Sequence, residues 1–173
     1  CVSTDDDDNI WVGSSKGLNF ICGKSIKTVQ NSLIESEILA ISSAGKSKVW
    51  VVTNSGLFKV EYFDGDFSIS KISIPLFQSS ALSQIFQDRI LTSFIFQTKE
   101  GKAFFGNNGD PFCIQNDKIE RIKTEIGLRV NTGIELSDNT ILFGTNKGLY
   151  KLDGDKLSPY KNQNAKGVDV KKI

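Results

Sequence analysis

The stretch Asn9-Ile10-Trp11-Val12-Gly13-Ser14-Ser15-Lys16-Gly17-Leu18 decides the fold of this chain, because its pattern recurs along the sequence. An aromatic and apolar run leads into a short polar turn and then into Gly-Leu. The pattern returns at residues 49–58 and 141–150, and in a weaker form at residues 103–109. The copies are roughly 40 residues apart, with one longer interval, and a period of this size is typical of repeat proteins.

Each repeat can be divided into four short strands separated by turn residues, which is the composition of a propeller blade. We therefore predict an all-β fold, a β-propeller of about four four-stranded antiparallel blades, which is either part of a larger propeller or a closed four-bladed ring. The predicted blades are residues 1–30, 38–73, 90–123 and 129–159. Residues 74–89 form an insertion, and residues 167–173 alternate like the inner strand of a further blade.

The composition excludes several kinds of function. The 173 residues include 21 Lys and Arg against 20 Asp and Glu, so bulk charge predicts no nucleic-acid partner and no membrane contact. No histidine is present, which removes the commonest general base and metal ligand. We predict no catalytic residues, no metal and no cofactor. The 3 cysteines are interpreted as free, mostly buried thiols.

Two motifs that suggest ligand sites fail on closer reading. The run Asp5–Asp8 could begin a calcium loop, but the sixth and twelfth positions would be Ile10 and Lys16 instead of Gly and Glu. A solvated turn is the better interpretation, with a loose surface calcium site as the alternative. Gly-Lys-Ser at residues 23–25 and 45–47 lacks the earlier glycine of a phosphate-binding loop.

The repeated aromatic positions can be interpreted in two ways. They could stack against sugars, but they recur in mid-strand, where packing between blades is the stronger interpretation. We predict that these four side chains form the structural core of the repeats: Trp11, Trp50, Phe104 and Phe143.

One face of the propeller is expected to carry both the turns between second and third strands and the connections between blades. The insertion at 74–89 would lie on that same face. Neutral amides suit sugar hydroxyls, and cations suit acidic sugars; the alternative is that Asn is simply a good turn former. The candidate ligand-binding residues are Lys16, Asn54, Asn107, Asn108, Asn146, Lys147, Phe77, Gln84, Phe86 and Arg89.

At these repeats the chain resembles the two-component regulator propeller family. Trp11-Val12-Gly13-Ser14 followed by Gly17-Leu18 matches its repeat well, and residues 50–57 and 142–149 match with one substitution each. The resemblance implies the extracytoplasmic sensor propeller of a Bacteroides-type hybrid regulator, which senses oligosaccharides and signals to a kinase elsewhere in the parent chain. It implies a periplasmic or extracytoplasmic location, and a non-enzymatic role for this segment.

Three functions remain open from the sequence. The first is a sensing propeller that binds an oligosaccharide without catalysis. The second is a structural or protein-interaction propeller, and the third is a propeller enzyme such as a polysaccharide lyase. The chain begins at Cys1 and contains no Met, so we expect a piece of a longer protein. Its partners would then be the remaining blades of the parent propeller, or a second copy through self-association.

Overall fold

A computed structural model describes residues 1–73, 94–116, 118–160 and 168–172, and these residues form strands and turns without any helix. The chain divides into two compact units, Cys1–Ile90 and Leu91–Ile173. Each unit contains two sheets of four antiparallel strands, in which sequential strands are neighbours. The predicted all-β architecture of four-stranded antiparallel blades is therefore confirmed. No helix in the described residues is long and apolar enough to cross a membrane.

The first unit holds two blades. The strands of blade 1 are β1 (Val2–Thr4), β2 (Ile10–Ser14), β3 (Gly17–Cys22) and β4 (Ser25–Thr28). Those of blade 2 are β5 (Ile38–Ser43), β6 (Lys48–Thr53), β7 (Gly56–Phe63) and β8 (Asp66–Ile72).

The second unit holds the other two blades. The strands of blade 3 are β9 (Ile95–Gln97), β10 (Ala103–Asn107), β11 (Asp110–Gln115) and β12 (Lys118–Arg121). Those of blade 4 are β13 (Val130–Glu135), β14 (Ile141–Thr145), β15 (Gly148–Asp153) and β16 (Lys156–Pro159). The predicted insertion at 74–89 lies outside the described residues.

The turn residues explain why the strands end where they do. Asp64 and Gly65 have φ angles of 50° and 92° and join the paired residues Phe63 and Asp66 in a two-residue hairpin. Positive φ at both central positions is the geometry that matches the twist of the flanking strands. Asn108 and Gly109, with φ angles of 53° and 87°, form the same kind of turn between β10 and β11.

The core of the first unit lies between its two blades. Trp11 and Phe20 of blade 1 are fully buried, and their ring centroids are 4.5 Å apart. They pack with Leu18 against four buried residues of blade 2, namely Val49, Val51, Phe58 and Val60. The Trp11 ring also meets the Phe67 ring of blade 2 edge-on, at 6.1 Å.

The core of the second unit is built in the same way. Phe104 of blade 3 and Phe143 of blade 4 meet edge-on with ring centroids 5.9 Å apart, and both are buried. Phe94 and Phe96 complete this aromatic cluster. In the first unit, Trp50 is also buried, with 5% of its surface exposed. All four repeated aromatic residues thus occupy buried strand positions.

The inner strand predicted for residues 167–173 stays a prediction; among the described residues there, Val170 N donates a 2.9 Å hydrogen bond to Thr145 O. The interpretation of the cysteines as mostly buried thiols needs correction. The cysteines are free, but Cys1 and Cys22 are exposed and Cys113 is only partly buried. Cys22 is exposed because it ends β3 beside the Gly23 turn.

Candidate functional site

The candidate site begins with two equivalent turns in the first unit. Ser14 Oγ accepts a 3.1 Å hydrogen bond from the Lys16 amide, and Thr53 Oγ1 accepts a 3.0 Å bond from the Ser55 amide. These side-chain bonds close the turns locally, as Ser and Thr commonly do. They leave Lys16 and Asn54 exposed at the tips.

Both turns lie beside the connection between blades 1 and 2, residues 29–37. A Cβ built on Gly17 would lie 3.2 Å from the carbonyl oxygen of Ile34, and Ser55 Oγ donates a 3.3 Å hydrogen bond to the carbonyl oxygen of Leu33. Gly17 has a φ angle of 116°, so a side chain there would be both strained and crowded. The connection therefore brings the turns that carry Lys16 and Asn54 to the same face of the first unit.

The turns of the second unit approach their own connection, residues 124–129. The amide of Val130 donates a 2.8 Å hydrogen bond to the carbonyl oxygen of Gly109, which ties the turn of Asn107 and Asn108 to this connection. Asn107 is half-buried, and Asn108 is exposed. These two amides are therefore held on the same side as the connection between blades 3 and 4.

Asn146 is used to hold that connection in place. Its side-chain oxygen accepts a 2.8 Å hydrogen bond from the Arg129 amide, and its Nδ2 donates a 3.1 Å bond to the carbonyl oxygen of Gly127. Its backbone amide donates to the carbonyl oxygen of Arg129 at 3.0 Å. Both ends of the amide are thus engaged within the protein, which is a structural role.

Lys147 is also paired within the chain. Its Nζ lies 2.9 Å from Glu125 Oε1 and 3.2 Å from the carbonyl oxygen of Ile126. The same Glu125 oxygen accepts a 2.9 Å hydrogen bond from the Tyr150 hydroxyl. The hydrogen bonds from Lys147 and then Tyr150 lower the pKa of Glu125, while burial and then the bond to Glu125 raise the pKa of Tyr150. The carboxylate is therefore held ionised between two donors.

Arg129 is a residue of this face that the turn pattern does not reveal. It is exposed, and its side chain runs along the turn of blade 3, because a Cβ built on Gly109 would lie 3.2 Å from Arg129 Cβ and 3.4 Å from its Nε. Glu125 and Tyr150 were missed as well. The signal that could have identified Arg129 and Glu125 is their position in a connection between blades, on the face already expected to carry the turns.

The structure therefore divides the predicted site residues into four groups. Lys16 and Asn54 are exposed together in the first unit, and Asn107 and Asn108 lie in the second unit. Asn146 and Lys147 are engaged by the connection they hold. The remaining four predicted residues lie outside the described residues: Phe77, Gln84, Phe86 and Arg89.

The chemistry available in these turns is that of polar recognition. Exposed amides supply paired donors and acceptors, and Lys16 and Arg129 supply positive charge. Among the described residues, no group of three or more His, Cys, Asp or Glu side chains could hold a metal ion. Within each unit, these groups can hydrogen-bond and pair charge with a polar ligand.

The chain has the fold of a partial β-propeller, a fold shared by sensor domains and enzymes. No protein-family model and no curated protein matches its sequence. Among solved structures, it is similar to the extracellular domain of the hybrid two-component system BT4673 from B. thetaiotaomicron, with a TM-score of 0.69 and 17% identity over 98% of this chain and 23% of that one.

Two further solved structures share the fold. Virginiamycin B lyase from Staphylococcus aureus matches with a TM-score of 0.68 and 15% identity, over 96% of this chain and 57% of the lyase. YCF48 from Cyanidioschyzon merolae matches with a TM-score of 0.59 and 13% identity, over 96% of this chain and 56% of that protein. The chain spans about a quarter of the sensor domain and little more than half of the other two chains.

Proposed function

We propose that this chain is part of a ligand-sensing propeller of a two-component regulatory system, working in an extracytoplasmic location. In this proposal the propeller binds an oligosaccharide-type signal, without catalysis, on the face that carries the turns between second and third strands. A kinase elsewhere in the parent protein receives the signal. The observation that carries the proposal is the pair of exposed turns with Lys16 and Asn54, both fixed beside one connection in the first unit.

The fold and the repeat pattern support this proposal over the alternatives. The Trp-Val-Gly repeat resembles that of sensor propellers, and a solved extracellular sensor domain shares the fold over nearly the whole chain. The exposed Asn54 amide suits sugar hydroxyls, and the exposed Lys16 ammonium suits carboxylate or sulfate substituents. The lyase that shares the fold is an enzyme. This sequence contains no histidine, the commonest general base in enzymes, so it offers no such residue in support of catalysis.

The test is a glycan-binding screen followed by titration calorimetry with each binder. We expect Lys16→Ala combined with Asn54→Ala to weaken binding by about five- to 150-fold, because two polar contacts of about 0.5–1.5 kcal/mol each would be lost. Lys24→Ala is the matched control, since Lys24 is an equally exposed lysine in the outer turn between β3 and β4. Equal binding by the double variant and the wild type would contradict the site. Release of cleaved product from a bound glycan would contradict the non-catalytic role.

A protein-interaction role is the second candidate, favoured by one exposed side chain. Ile126 has 99% of its surface exposed, and it lies at the tip of the connection that Asn146 and Lys147 hold. A rigidly held apolar tip suits a hydrophobic pocket of a partner. YCF48, which shares the fold with a TM-score of 0.60 and 14% identity, has been solved bound to a peptide. Loss of partner binding in Ile126→Ser, with glycan binding unchanged, would favour this candidate.

A further inference from the structure

A cavity opens on blade 3, on the side of its sheet that faces blade 4. It has a volume of about 270 Å³, and its lining combines a thiol, two amides and two opposite charges: Cys113, Gln115, Asn116, Lys118 and Glu120. The register pairs Cys113 with Glu120 and Gln115 with Lys118, so these four side chains share one side of β11 and β12. Cys113 also packs against the core that joins blades 3 and 4, so the cavity lies beside that core.

The corresponding space in the first unit is filled. Cys113 occupies the position that Phe20 holds in blade 1, since each is paired with the repeated core aromatic residue of its blade. The centroid of the Phe20 ring lies 4.5 Å from that of Tyr62 and 5.7 Å from that of Phe67, both in blade 2. Lys27 covers this cluster, with its Nζ 5.1 Å from the centroid of the Tyr62 ring. Three aromatic side chains and a lysine thus occupy the space that is a cavity in the second unit.

Two differences in sequence explain why the cavity exists. Strand β7 of blade 2 has 8 residues and the equivalent β15 of blade 4 has 6, and the pair Tyr62 and Phe67 lies in the additional length. Blade 4 already turns back after Asp153, which pairs with Lys156, so its turn occupies those positions. Cys113 is in addition much smaller than a phenylalanine. A shorter hairpin and a smaller side chain therefore leave the space open.

The two charged side chains of the cavity are not used within the described part of the protein. There, Lys118 and Glu120 make no ion pair with each other or with a neighbour, whereas Arg121 on the other side of β12 is paired with Asp110 at 2.7 Å. Burial raises the pKa of Cys113, so a neutral thiol lies between the charges and the core. Two unpaired opposite charges in one cavity are complementary to a ligand that carries both charges.

We propose that this cavity binds a free α-amino acid, with Lys118 holding its carboxylate and Glu120 its ammonium group. The volume lies just below the ~300–1,000 Å³ of typical ligand pockets, so the occupant is one small molecule and not an oligosaccharide. The two amides of the lining supply further donors and acceptors. Because the charged side chains are exposed, their contacts are weak, and the dissociation constant is on the order of 1 mM. This inference goes beyond the proposed sensing function and does not depend on it.

The test is an NMR titration of the isotope-labelled chain with each of the standard L-amino acids, at up to about 10 mM. We expect at least one of them to bind with a dissociation constant on the order of 1 mM and to shift the resonances of the cavity residues. The N-acetyl derivative of that amino acid lacks the ammonium group, and its amide lacks the carboxylate. Each derivative should therefore bind at least about tenfold more weakly.

Three variants test the residues. Lys118→Ala and Glu120→Gln should each weaken binding by about tenfold or more, and because both positions are exposed, the variants should fold. Cys113→Phe places in blade 3 the residue found at the equivalent position of blade 1, and by filling the cavity it should abolish binding. Lys156→Ala is the matched control, since Lys156 is an exposed lysine on β16 that does not line the cavity, and it should bind like the wild type.

The proposal is overturned if no amino acid binds at about 10 mM, or if the resonances that shift lie away from the cavity. It is also overturned if the uncharged derivatives bind as tightly as the amino acid itself. Equal binding by Lys118→Ala, Glu120→Gln and the wild type would do the same, and these two variants decide the question even if Cys113→Phe does not fold. Circular dichroism checks the fold of every variant.

Discussion

The indole Nε1 of Trp11 donates a 2.8 Å hydrogen bond to Oδ2 of Asp5, and both residues are buried. The other oxygen, Oδ1, accepts from the amides of Asp7 and Asn9 at 2.9 and 3.1 Å, and Asn9 Nδ2 also donates to this carboxylate. The interpretation of residues 5–8 as a solvated turn is therefore wrong for Asp5. Its carboxylate fixes the turn before β2 and orients the core tryptophan.

Replacing Asp5 with Ala should lower the free energy of unfolding by about 2–3 kcal/mol. The substitution leaves the Trp11 indole and the Asn9 amide buried without acceptors, and an unsatisfied buried donor costs about 1–3 kcal/mol. Urea unfolding followed by tryptophan fluorescence measures the change. Asp6→Ala is the control, since Asp6 is exposed and loses only a 3.1 Å hydrogen bond from Ser43, so the stability should change by no more than about 1 kcal/mol. Equal unfolding midpoints for the two variants would contradict the role of Asp5.

The sequence could predict the blades because their signals are local. The Trp-Val-Gly repeat and hairpins such as Asp64-Gly65 carry strand and turn preferences that need no tertiary contact. The role of Asp5 could not be predicted, because a run of four aspartates gives no sign that the first is buried beneath an indole. Its burial depends on the position of Trp11 after the chain has folded.

The candidate site was predictable in position but not in detail. The turns that carry Lys16 and Asn54 lie beside a connection between blades, as the blade topology implies. Asn146 occupies the equivalent turn of blade 4 and yet is used internally. The difference arises from the partner loop, because residues 127–129 present backbone groups at hydrogen-bonding distance from its amide, and sequence similarity between turns does not encode that contact.

Trp50→Ala should lower the free energy of unfolding by about 3–5 kcal/mol, because a large aromatic side chain is removed from a buried strand position. The variant keeps Trp11 as a fluorescent reporter for urea unfolding. Lys59→Ala is the control, since the Lys59 ammonium lies 5.3 Å from the centroid of the Trp50 ring, a contact worth about 0.5–1 kcal/mol. A Trp50→Ala protein with an unchanged midpoint would contradict the core role and favour a binding role.

Asn146→Ala should free the connection between blades 3 and 4 without unfolding the blades. The Arg129 amide would lose its 2.8 Å acceptor, so its hydrogen exchange should accelerate by about tenfold or more. Asn146→Asp keeps an acceptor oxygen and should preserve most of the protection at Arg129. Asn54→Ala, in the corresponding turn of blade 2, should leave this exchange rate unchanged. Protection at Arg129 that survives in Asn146→Ala would show that the side chain does not hold the connection.

The network of Glu125, Lys147 and Tyr150 should give a pH dependence with two limits. The pKa of Glu125 is lowered from 4.5. Its carboxylate therefore accepts from Lys147 and Tyr150 at any pH above 4.5, and these contacts are lost as the pH falls through the lowered pKa. The pKa of Tyr150 is raised from 10.0, so its hydroxyl still donates at pH 10 and loses its proton only as the pH rises further. The hydrogen bond from Tyr150 to Glu125 is therefore present between these two limits.

Glu125→Gln tests which contact sets the upper limit. Removing the carboxylate should lower the pKa of Tyr150, measured from its ring resonances by NMR, but should not return it to 10.0, because burial is the larger cause of the shift and remains. Glu120→Gln, an exposed substitution on β12, should leave the titration of Tyr150 unchanged. If Tyr150 titrates identically in Glu125→Gln and the wild type, the 2.9 Å hydrogen bond between the two side chains does not persist in solution.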